Sequence, residues 1–261
     1  LGDVYKRQNS IRVTHNPAAQ DLIDACNEQG ILVVEEAFDT WIKPKNGNSN
    51  DYSVWFNQTV ASDNEILGAT DGETWAQFDL ESMISRDYNA PSVIMWSLGN
   101  EVMEGISGGT DAEYEATATK LINWAYDADN TRPMTIGDNK LKADWQISKT
   151  FANLLAAKGG TVGFNYADGG VLDKYHSSNS NWFIYGSETA SAVNSRGIYY
   201  RTTGGSQTSD KQLTSYDNSA VGWGATASNA WYTVLTRDFA AGEYVWTGFD
   251  YLGEPTPCLL Y

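Results

Sequence analysis

The stretch PSVIMWSLGNE, from Pro91 to Glu101, is the part of the sequence that decides the fold. Its residues Ser92 to Ser97 are rich in β-branched and aromatic side chains, and Gly99 follows the apolar run. A short, nearly all-apolar segment between a proline and a glycine predicts a parallel strand buried on both faces. Glu101 then stands at the carboxyl end of the strand, where α/β barrels place their catalytic side chains.

Segments of strand character alternate with segments of helical spacing along the chain. The predicted strands are Ser10–His15, Ile31–Val34, Ser92–Ser97, Arg132–Asp138, Thr161–Tyr166, Trp182–Glu188 and Glu243–Asp250. The predicted helices are one that starts at Pro17, with Asn16 as its cap, and ends before Gly30, and then Asp71–Tyr88, Ala112–Asp129, Trp145–Lys158, Val171–Ser177 and Ala225–Ala241. This alternation indicates βαβ units and a parallel sheet of the α/β class. Seven strands are one fewer than a closed (β/α)8 barrel contains.

Helical spacing also predicts which side chains face the core. The inward positions are Leu22, Ile23, Ala25 and Cys26 in the first helix, Trp75, Phe78, Met83 and Ile84 in the second, and Tyr114, Ala118, Leu121, Ile122 and Ala125 in the third. Cys26 is therefore expected to be a small core residue. The only other cysteine is Cys258, and there is no CxxC pattern, so no structural zinc site is indicated.

The composition is that of a globular domain and argues against two classes of partner. The 261 residues are 41% apolar, enough for one large α/β domain with a core. A net charge of -16, with no basic cluster, disfavours nucleic acid, and no stretch approaches the roughly 20 apolar residues of a membrane span. Ten Trp and fifteen Tyr fit either a large aromatic core or a site lined with flat apolar faces, such as sugars need.

Two glutamates end two of the predicted strands, Glu101 and Glu188. Either one alone would be an ordinary loop carboxylate, but both fall at strand ends of the same α/β series. Glycoside hydrolysis needs such a pair, one to protonate the leaving oxygen and one to attack the sugar carbon or activate water. In a retaining enzyme the two carboxyl groups would lie about 5 Å apart.

The segments around these glutamates resemble the catalytic barrel of glycoside hydrolase family 2, the family of β-galactosidases, β-glucuronidases and β-mannosidases. The segments that carry the resemblance are IRVTHNP (Ile11–Pro17), GILVVEEAFD (Gly30–Asp39), RDYNAPSVIMWSLGNE (Arg86–Glu101), YGSETAS (Tyr185–Ser191), SRG (Ser195–Gly197) and VWTGFDYLGEPTP (Val245–Pro257). They occur in the family's order, and the joint match is far more specific than any single motif.

The resemblance implies the catalytic machinery. Glu101 would be the general acid/base, and Glu188 the nucleophile that forms the glycosyl-enzyme. Arg12 would lie beside the nucleophile, where a guanidinium would hold a carboxylate ionised. Asn100 would contact the 2-hydroxyl of the sugar, through a hydrogen bond that strengthens in the transition state.

Four further residues are implied to line the sugar site. His15 would bind a sugar hydroxyl, Tyr166 would bond to the nucleophile, Trp246 would form the base of the site, and Asp39 would bind sugar hydroxyls. Taken one at a time, these residues have structural alternatives, such as a turn residue for His15 and core packing for Trp246 and Tyr166. Arg12 likewise could form a buried structural ion pair.

Three other glutamates are not assigned to the reaction. Glu35 and Glu36 are expected to be structural or to support the site from behind, and Glu254 to be a loop charge.

The sequence departs from the family pattern in two ways. The family's barrel begins with a strand upstream of the arginine–histidine motif, after β-sandwich domains. Neither is present here, so we expect an incomplete (β/α)8 TIM barrel without its first strand over residues 9–257, poorly soluble or inactive by itself. Residues 1–8 and 258–261 are predicted to be non-native tails. Some relatives bind magnesium through a histidine near Asp39; this region reads DTWIK, so we expect no cofactor, with magnesium as the alternative.

The expected activity is that of a retaining exo-β-glycosidase that removes terminal β-linked sugars, with β-D-galactosides first in order. β-Glucuronidase or β-mannosidase activity is the alternative within the family, and an inactive carbohydrate-binding barrel is the alternative of another class. The expected partner is a carbohydrate. The sequence leaves the localisation and the oligomeric state of the full-length parent open, and a periplasmic or secreted bacterial protein is the favoured hypothesis for its localisation.

Overall fold

The computed structural model describes residues 8–45, 48, 50–60, 68–104, 109–202 and 212–248. The chain divides into two compact units. The N-terminal unit comprises residues 1–163 and 179–183, and the C-terminal unit comprises residues 164–178 and 184–261. Apart from Gln8, both predicted tails lie outside the described residues, as do Glu254 and Cys258.

Strands and helices alternate as predicted. The elements are β1 (Ser10–Val13), α1 (Gln20–Gln29), β2 (Leu32–Glu36), α2 (Ser53–Phe56), α3 (Trp75–Asp87), β3 (Val93–Asn100), α4 (Asp111–Ala128), β4 (Met134–Asp138), a 3-10 turn (Leu141–Ala143), α5 (Gln146–Ala157), β5 (Thr161–Asn165), α6 (Gly169–Ser178), β6 (Phe183–Ala190), α7 (Ala227–Leu235) and β7 (Ala240–Trp246). Seven parallel strands follow one another in chain order, from β1 to β7, because each helical crossover returns the chain in the same direction. The predicted fold class, a partial (β/α)8 barrel, is confirmed, with seven strands in the described residues.

The opening strand lies between two neighbours within the N-terminal unit. On one side Glu36 of β2 is in register with Ser97, and on the other Asn100 is in register with Gly137 of β4. Trp96 and Leu98 are fully buried, and each such side chain contributes roughly 1.5–3 kcal/mol by leaving water. These contacts hold the carboxyl end of β3 firmly in place.

The strand β3 runs three residues further than predicted, to Asn100. The indole Nε1 of Trp41 donates to the carbonyl oxygen of Leu98 at 2.8 Å. A Cβ atom at Gly99 would come within 2.7 Å of that same Nε1, so the close approach of the ring requires glycine. The sequence suggested a stop at this glycine, whereas the structure uses it for packing.

The predicted core faces are confirmed in part. The five inward residues predicted for α4 are its buried residues, and the helix starts with a capping box between Thr110 and Glu113. In α1, Ile23 and Cys26 are buried as predicted, but Leu22 is 37% exposed. In α3, Met83 and Ile84 are buried together with residues that were not predicted, Ala76, Leu80 and Asp87.

The predicted start of the first helix is wrong. The helix α1 begins at Gln20, after Ala19, and has no side-chain cap. The backbone N–H of Ala18 instead donates to the buried Glu35 Oε1 at 3.2 Å. The segment at Asn16 and Pro17 lies outside the helix, between the end of β1 and the start of α1.

Successive side chains of β2 point to opposite faces of the strand, which separates two adjacent glutamates. Glu36 contacts residues of β1 and β3, as described below for the site, and Glu35 contacts Arg86 of α3 at 2.8 Å. Both side chains are fully buried. No helix among the described residues is long and apolar enough to cross a membrane.

Candidate active site

Glu36 is the centre of a buried polar network at the carboxyl ends of β1, β2 and β3. Its Oε2 atom accepts hydrogen bonds from Arg12 Nε at 3.1 Å, Arg12 Nη2 at 2.6 Å and Ser97 Oγ at 2.6 Å. Its Oε1 atom lies 2.6 Å from His15 Nδ1. One carboxylate therefore fixes an arginine through its Oε2 atom and a histidine through its Oε1 atom.

Asn100 closes this network into a ring. Its Oδ1 atom accepts a hydrogen bond from Arg12 Nη2 at 3.0 Å, and its Nδ2 atom lies 3.3 Å from His15 Nε2. Since the Glu36 carboxylate can only accept, His15 carries a proton on Nδ1, and a neutral ring then accepts from Asn100 through Nε2. The amide of Asn100 and the tautomer of His15 thus determine each other. We call Arg12, His15, Glu36 and Asn100 the Glu36 ring.

The charges within the Glu36 ring are matched. Burial opposes the ionisation of Glu36, but the Arg12 guanidinium and the hydrogen bonds from His15 and Ser97 outweigh it and lower the pKa of Glu36 to about 2. The side chains of Arg12 and Glu36 are 1% and 0% exposed. A fully buried ion pair of this kind is stable only while both partners are present.

Glu101 follows β3 directly and adopts an uncommon backbone conformation. Its φ angle is 44°, and its N–H donates to the carbonyl oxygen of Gly137 at 2.7 Å. Non-glycine residues seldom adopt this left-handed region, and such strain is concentrated at functional sites. A turn brings Glu104 back onto Glu101, with Glu104 N–H donating to Glu101 O at 2.8 Å, and the two side chains are hydrogen-bonded to each other.

In the C-terminal unit, the half-buried Tyr166 and the buried Glu188 form a second polar pair. The phenol of Tyr166 donates to Glu188 Oε2 at 3.0 Å and accepts from Ser191 Oγ at 3.1 Å. The backbone supports the pair, since Tyr166 N–H donates to Glu188 O at 2.8 Å. Glu188 is only 5% exposed. The arrangement supplies a carboxylate with a fixed hydrogen-bond donor.

The same unit shows further left-handed residues at strand ends. Tyr166, Ala190 and Ser191 have φ angles of 56°, 68° and 57°. Together with Glu101, they make up four of the five non-glycine residues with positive φ in the described part of the chain. The carboxyl ends of β3, β5 and β6 are therefore the places where this backbone departs from its preferred conformations.

Trp246 and Asp39, two residues implied to bind sugar, have different surroundings. Trp246 is the last residue of β7, in register with Ala190, and its carbonyl oxygen accepts from Ser191 N–H at 3.3 Å. Asp39 forms an ion pair with Lys45 at 2.6 Å on the rim of a cavity of about 460 Å³ lined by Asn16, Tyr52 and Arg86, among others. The described hydrogen bonds of Asp39 do not include the Glu36 ring.

Reasoning from the sequence assigned Glu36 only a supporting part and left out Glu104 and Ser97. For Glu36, a signal was available. Two successive glutamates at the end of a buried strand must point to opposite faces, so one of the two must enter the region between the strands. For Glu104 no signal was available, because its position depends on the left-handed turn at Glu101. Within the described ranges, no group of three or more His, Cys, Asp or Glu side chains could hold a metal ion.

Comparison with known proteins gives one family. Residues 5–214 match the family model described as glycosyl hydrolases family 2, TIM barrel domain. Among curated proteins, the chain is 32% identical to the beta-galactosidase BoGH2A of Bacteroides ovatus, over 95% of this chain and 31% of that protein. It is 25% identical to a putative beta-glucuronidase of Formosa agariphila, over 94% of this chain and 22% of that protein.

Solved structures agree with this fold. A glycosyl hydrolase family 2 member from Bacteroides cellulosilyticus superposes with a TM-score of 0.62 at 26% identity, covering 92% of this chain and 23% of that one. A beta-glycosidase from Bacteroides vulgatus superposes with a TM-score of 0.67 at 24% identity, covering 91% of this chain and 29% of that one. The chain thus spans less than a third of the length of each of these four relatives.

Proposed function

The chain belongs to glycoside hydrolase family 2, and on that premise we propose that it carries the catalytic site of a retaining exo-β-glycosidase. Because it spans 31% of the beta-galactosidase relative, we propose the activity for the parent polypeptide, meaning the longest natural polypeptide that contains this chain. We expect the 261-residue chain alone to be inactive.

The nucleophile in this proposal is Glu188. The observation that carries it is the hydrogen bond from the Tyr166 phenol to Glu188 Oε2 at 3.0 Å. A carboxylate nucleophile attacks through one oxygen, and a donor fixed on its other oxygen holds the group in a constant orientation. The phenol also controls which Glu188 oxygen keeps its lone pairs for the sugar carbon.

Glu101 acts as the acid and then as the base. In the first step it protonates the leaving oxygen while Glu188 forms the glycosyl-enzyme, and in the second it takes a proton from water. Its position at the end of β3, directly after Asn100, supports this role, because Asn100 is fixed by Arg12 and His15. A rigid amide beside the acid can hold a sugar hydroxyl in a constant place.

The Glu36 ring serves to bind the sugar. His15 and Asn100 would present ring and amide atoms to sugar hydroxyls, and their orientations are set by the buried Glu36. Arg12 supplies a permanent positive charge within the ring. Trp246 would form an apolar wall, and Asp39 would bind sugar hydroxyls at the rim of the site; carbohydrate is the proposed partner.

β-D-Galactosides are the substrates we propose, supported by the likeness to a protein named beta-galactosidase. β-Glucuronides are the second candidate, supported by the likeness to a putative beta-glucuronidase.

The test is a panel of 4-nitrophenyl β-glycosides assayed with the parent polypeptide and with the chain alone. We expect release of nitrophenol from the β-galactoside, and proton NMR of the first-formed sugar should show the β-anomer, because double displacement retains configuration. Turnover of the β-glucuronide alone would transfer the proposal to the second candidate. An α-anomer as first product, or no turnover of any member, would contradict it.

A further inference from the structure

We propose that Glu104 is a positioning residue that keeps the proton on Glu101 in the resting site, an inference that rests on the proposed acid role of Glu101. Glu104 belongs to no motif of the family resemblance and lies three residues beyond the end of the opening stretch.

The backbone brings the two carboxyl groups together. Glu101 adopts a φ of 44°, and the N–H of Glu104 donates to the carbonyl oxygen of Glu101 at 2.8 Å, which closes a turn. The side chains are hydrogen-bonded across this turn. Two carboxyl groups can form such a bond only when one of them carries a proton, because a carboxylate has no hydrogen to donate.

The partners of Glu104 identify it as the ionised member of the pair. Its Oε1 atom accepts from Asn139 Nδ2 at 3.1 Å and lies 3.9 Å from Lys140 Nζ. The hydrogen bond with Glu101 lowers the pKa of Glu104 most, and the charges of Lys140 and Lys45 and the bond from Asn139 add to this against the effect of burial. Glu101 is then the donor.

Two other charged groups face this pair and belong to the same balance. Lys142 is half-buried, and burial lowers its pKa, while its electrostatic interactions with Glu101 and Glu104 raise it. Lys45 is already paired with Asp39 at 2.6 Å, which reduces its effect on the pair. Glu104 shares a hydrogen bond with Glu101, so its negative charge acts directly on the Glu101 proton.

This arrangement suits both steps of the proposed reaction. In the first step the O–H bond of Glu101 breaks and its proton moves to the leaving oxygen, which also takes the electron pair of the broken bond to the sugar. Glu101 is then a carboxylate beside the Glu104 carboxylate. Repulsion between them makes Glu101 a stronger base, so that it takes a proton from the attacking water and returns to its initial state.

The kinetic test compares Glu104→Gln, Glu104→Asp and Glu115→Gln in the parent polypeptide. Glu115 is an exposed glutamate on α4, so its replacement removes one negative charge from the protein without changing the Glu101–Glu104 pair. In Glu104→Gln we expect the alkaline limb of the kcat/KM profile to move to lower pH. We also expect kcat/KM to fall about tenfold on 4-nitrophenyl glycosides. It should fall little on 2,4-dinitrophenyl glycosides, because their leaving group needs no acid. Glu104→Asp should recover part of the shift, and Glu115→Gln should behave like the wild type.

A second measurement does not depend on turnover. Carbon-13 NMR of glutamate-labelled protein follows the Glu101 carboxyl, assigned with Glu101→Gln, through a pH titration. Its midpoint should fall in Glu104→Gln. An unchanged midpoint, or an equal loss on both substrate types, would overturn the inference even if the wild type is an active glycosidase. A wild type that hydrolyses no glycoside would instead overturn the proposed function, while the titration would still report on the pair.

Discussion

The Nδ1 atom of His15 lies 2.6 Å from the Oε1 atom of Glu36, and this contact links the end of β1 to the end of β2. The other oxygen of Glu36 holds Arg12 and Ser97. The adjacent Glu35 has a separate set of partners, Ala18, Arg86 and Asp87, on the opposite face of the strand. Two neighbouring glutamates therefore stabilise different parts of the N-terminal unit.

Glu36→Gln should destabilise the fold much more than Glu35→Gln. The first change leaves the buried Arg12 without its carboxylate, and breaking a buried ion pair on one side typically costs about 3–5 kcal/mol. In Glu35→Gln the new amide can still donate a hydrogen bond to Asp87, so we expect the free energy of unfolding to fall by about 1 kcal/mol or less. Urea unfolding of the parent polypeptide measures both values, and equal losses would contradict the division of roles between the two glutamates.

The pH dependence of stability should have opposite signs for the two glutamates. Burial and the Asp87 carboxyl raise the pKa of Glu35 above 4.5, so the folded state keeps a proton that the unfolded state has released. The free energy of unfolding must then fall as pH rises from 4.5 through the folded pKa. Glu36 has its pKa lowered to about 2, so its contribution is complete above 4.5 and is lost as pH falls through about 2.

Unfolding curves collected across this pH range test both signs. In Glu35→Gln the decline above pH 4.5 should become shallower, while the loss toward pH 2 should be the same as in the wild type. A decline that is as steep in the variant as in the wild type would show that Glu35 does not hold the proton.

Glu188→Gln should abolish turnover in the parent polypeptide, because an amide cannot form the glycosyl-enzyme. Glu101→Ala should lose activity on substrates with poor leaving groups but regain it on activated aryl glycosides when azide replaces water as the nucleophile. The product in that case is the β-glycosyl azide, which NMR identifies. Normal rates in either variant would contradict the assignment.

Tyr166→Phe should lower kcat by about 10- to 100-fold, since a hydrogen bond to a charged group contributes about 1.5–3 kcal/mol. The loss follows from the phenol that donates to Glu188 Oε2. Ser191→Ala is the matched control, since it removes the donor to the phenol but not the phenol, and it should have a smaller effect.

The secondary structure was predicted well wherever the apolar side chains recur with a helical or strand period. The buried face of α4 follows from helical spacing, and all seven strands were located, although β3 and β6 run further and β7 starts at Ala240 rather than Glu243. Strand ends were missed because they depend on neighbours far along the chain. Trp41 is an example, since its indole Nε1 donates a hydrogen bond to the carbonyl oxygen of Leu98 in β3.

The site was predicted as a set of residues but not as a set of contacts. Arg12, His15 and Asn100 were all named, but Glu36 was expected only to be structural or to support the site from behind, and its contacts with Arg12, His15 and Ser97 span 24, 21 and 61 residues. Asp39 was expected at the sugar, and the structure pairs it with Lys45. Alternation along a strand separates two successive side chains onto opposite faces, but it does not identify the distant partner that each of them contacts.

The chain has only two histidines, and one imidazole ring contacts a carboxylate while the other contacts an aromatic ring. His15 shares its Nδ1 proton with a buried carboxylate, so that proton should resonate far downfield. His176 lies flat on Phe239, with ring centroids 3.9 Å apart and an interplanar angle of 4°, where the ring current shields it. Histidine-labelled protein should therefore give one signal that reports on ligands entering the Glu36 ring and a second that serves as its internal reference.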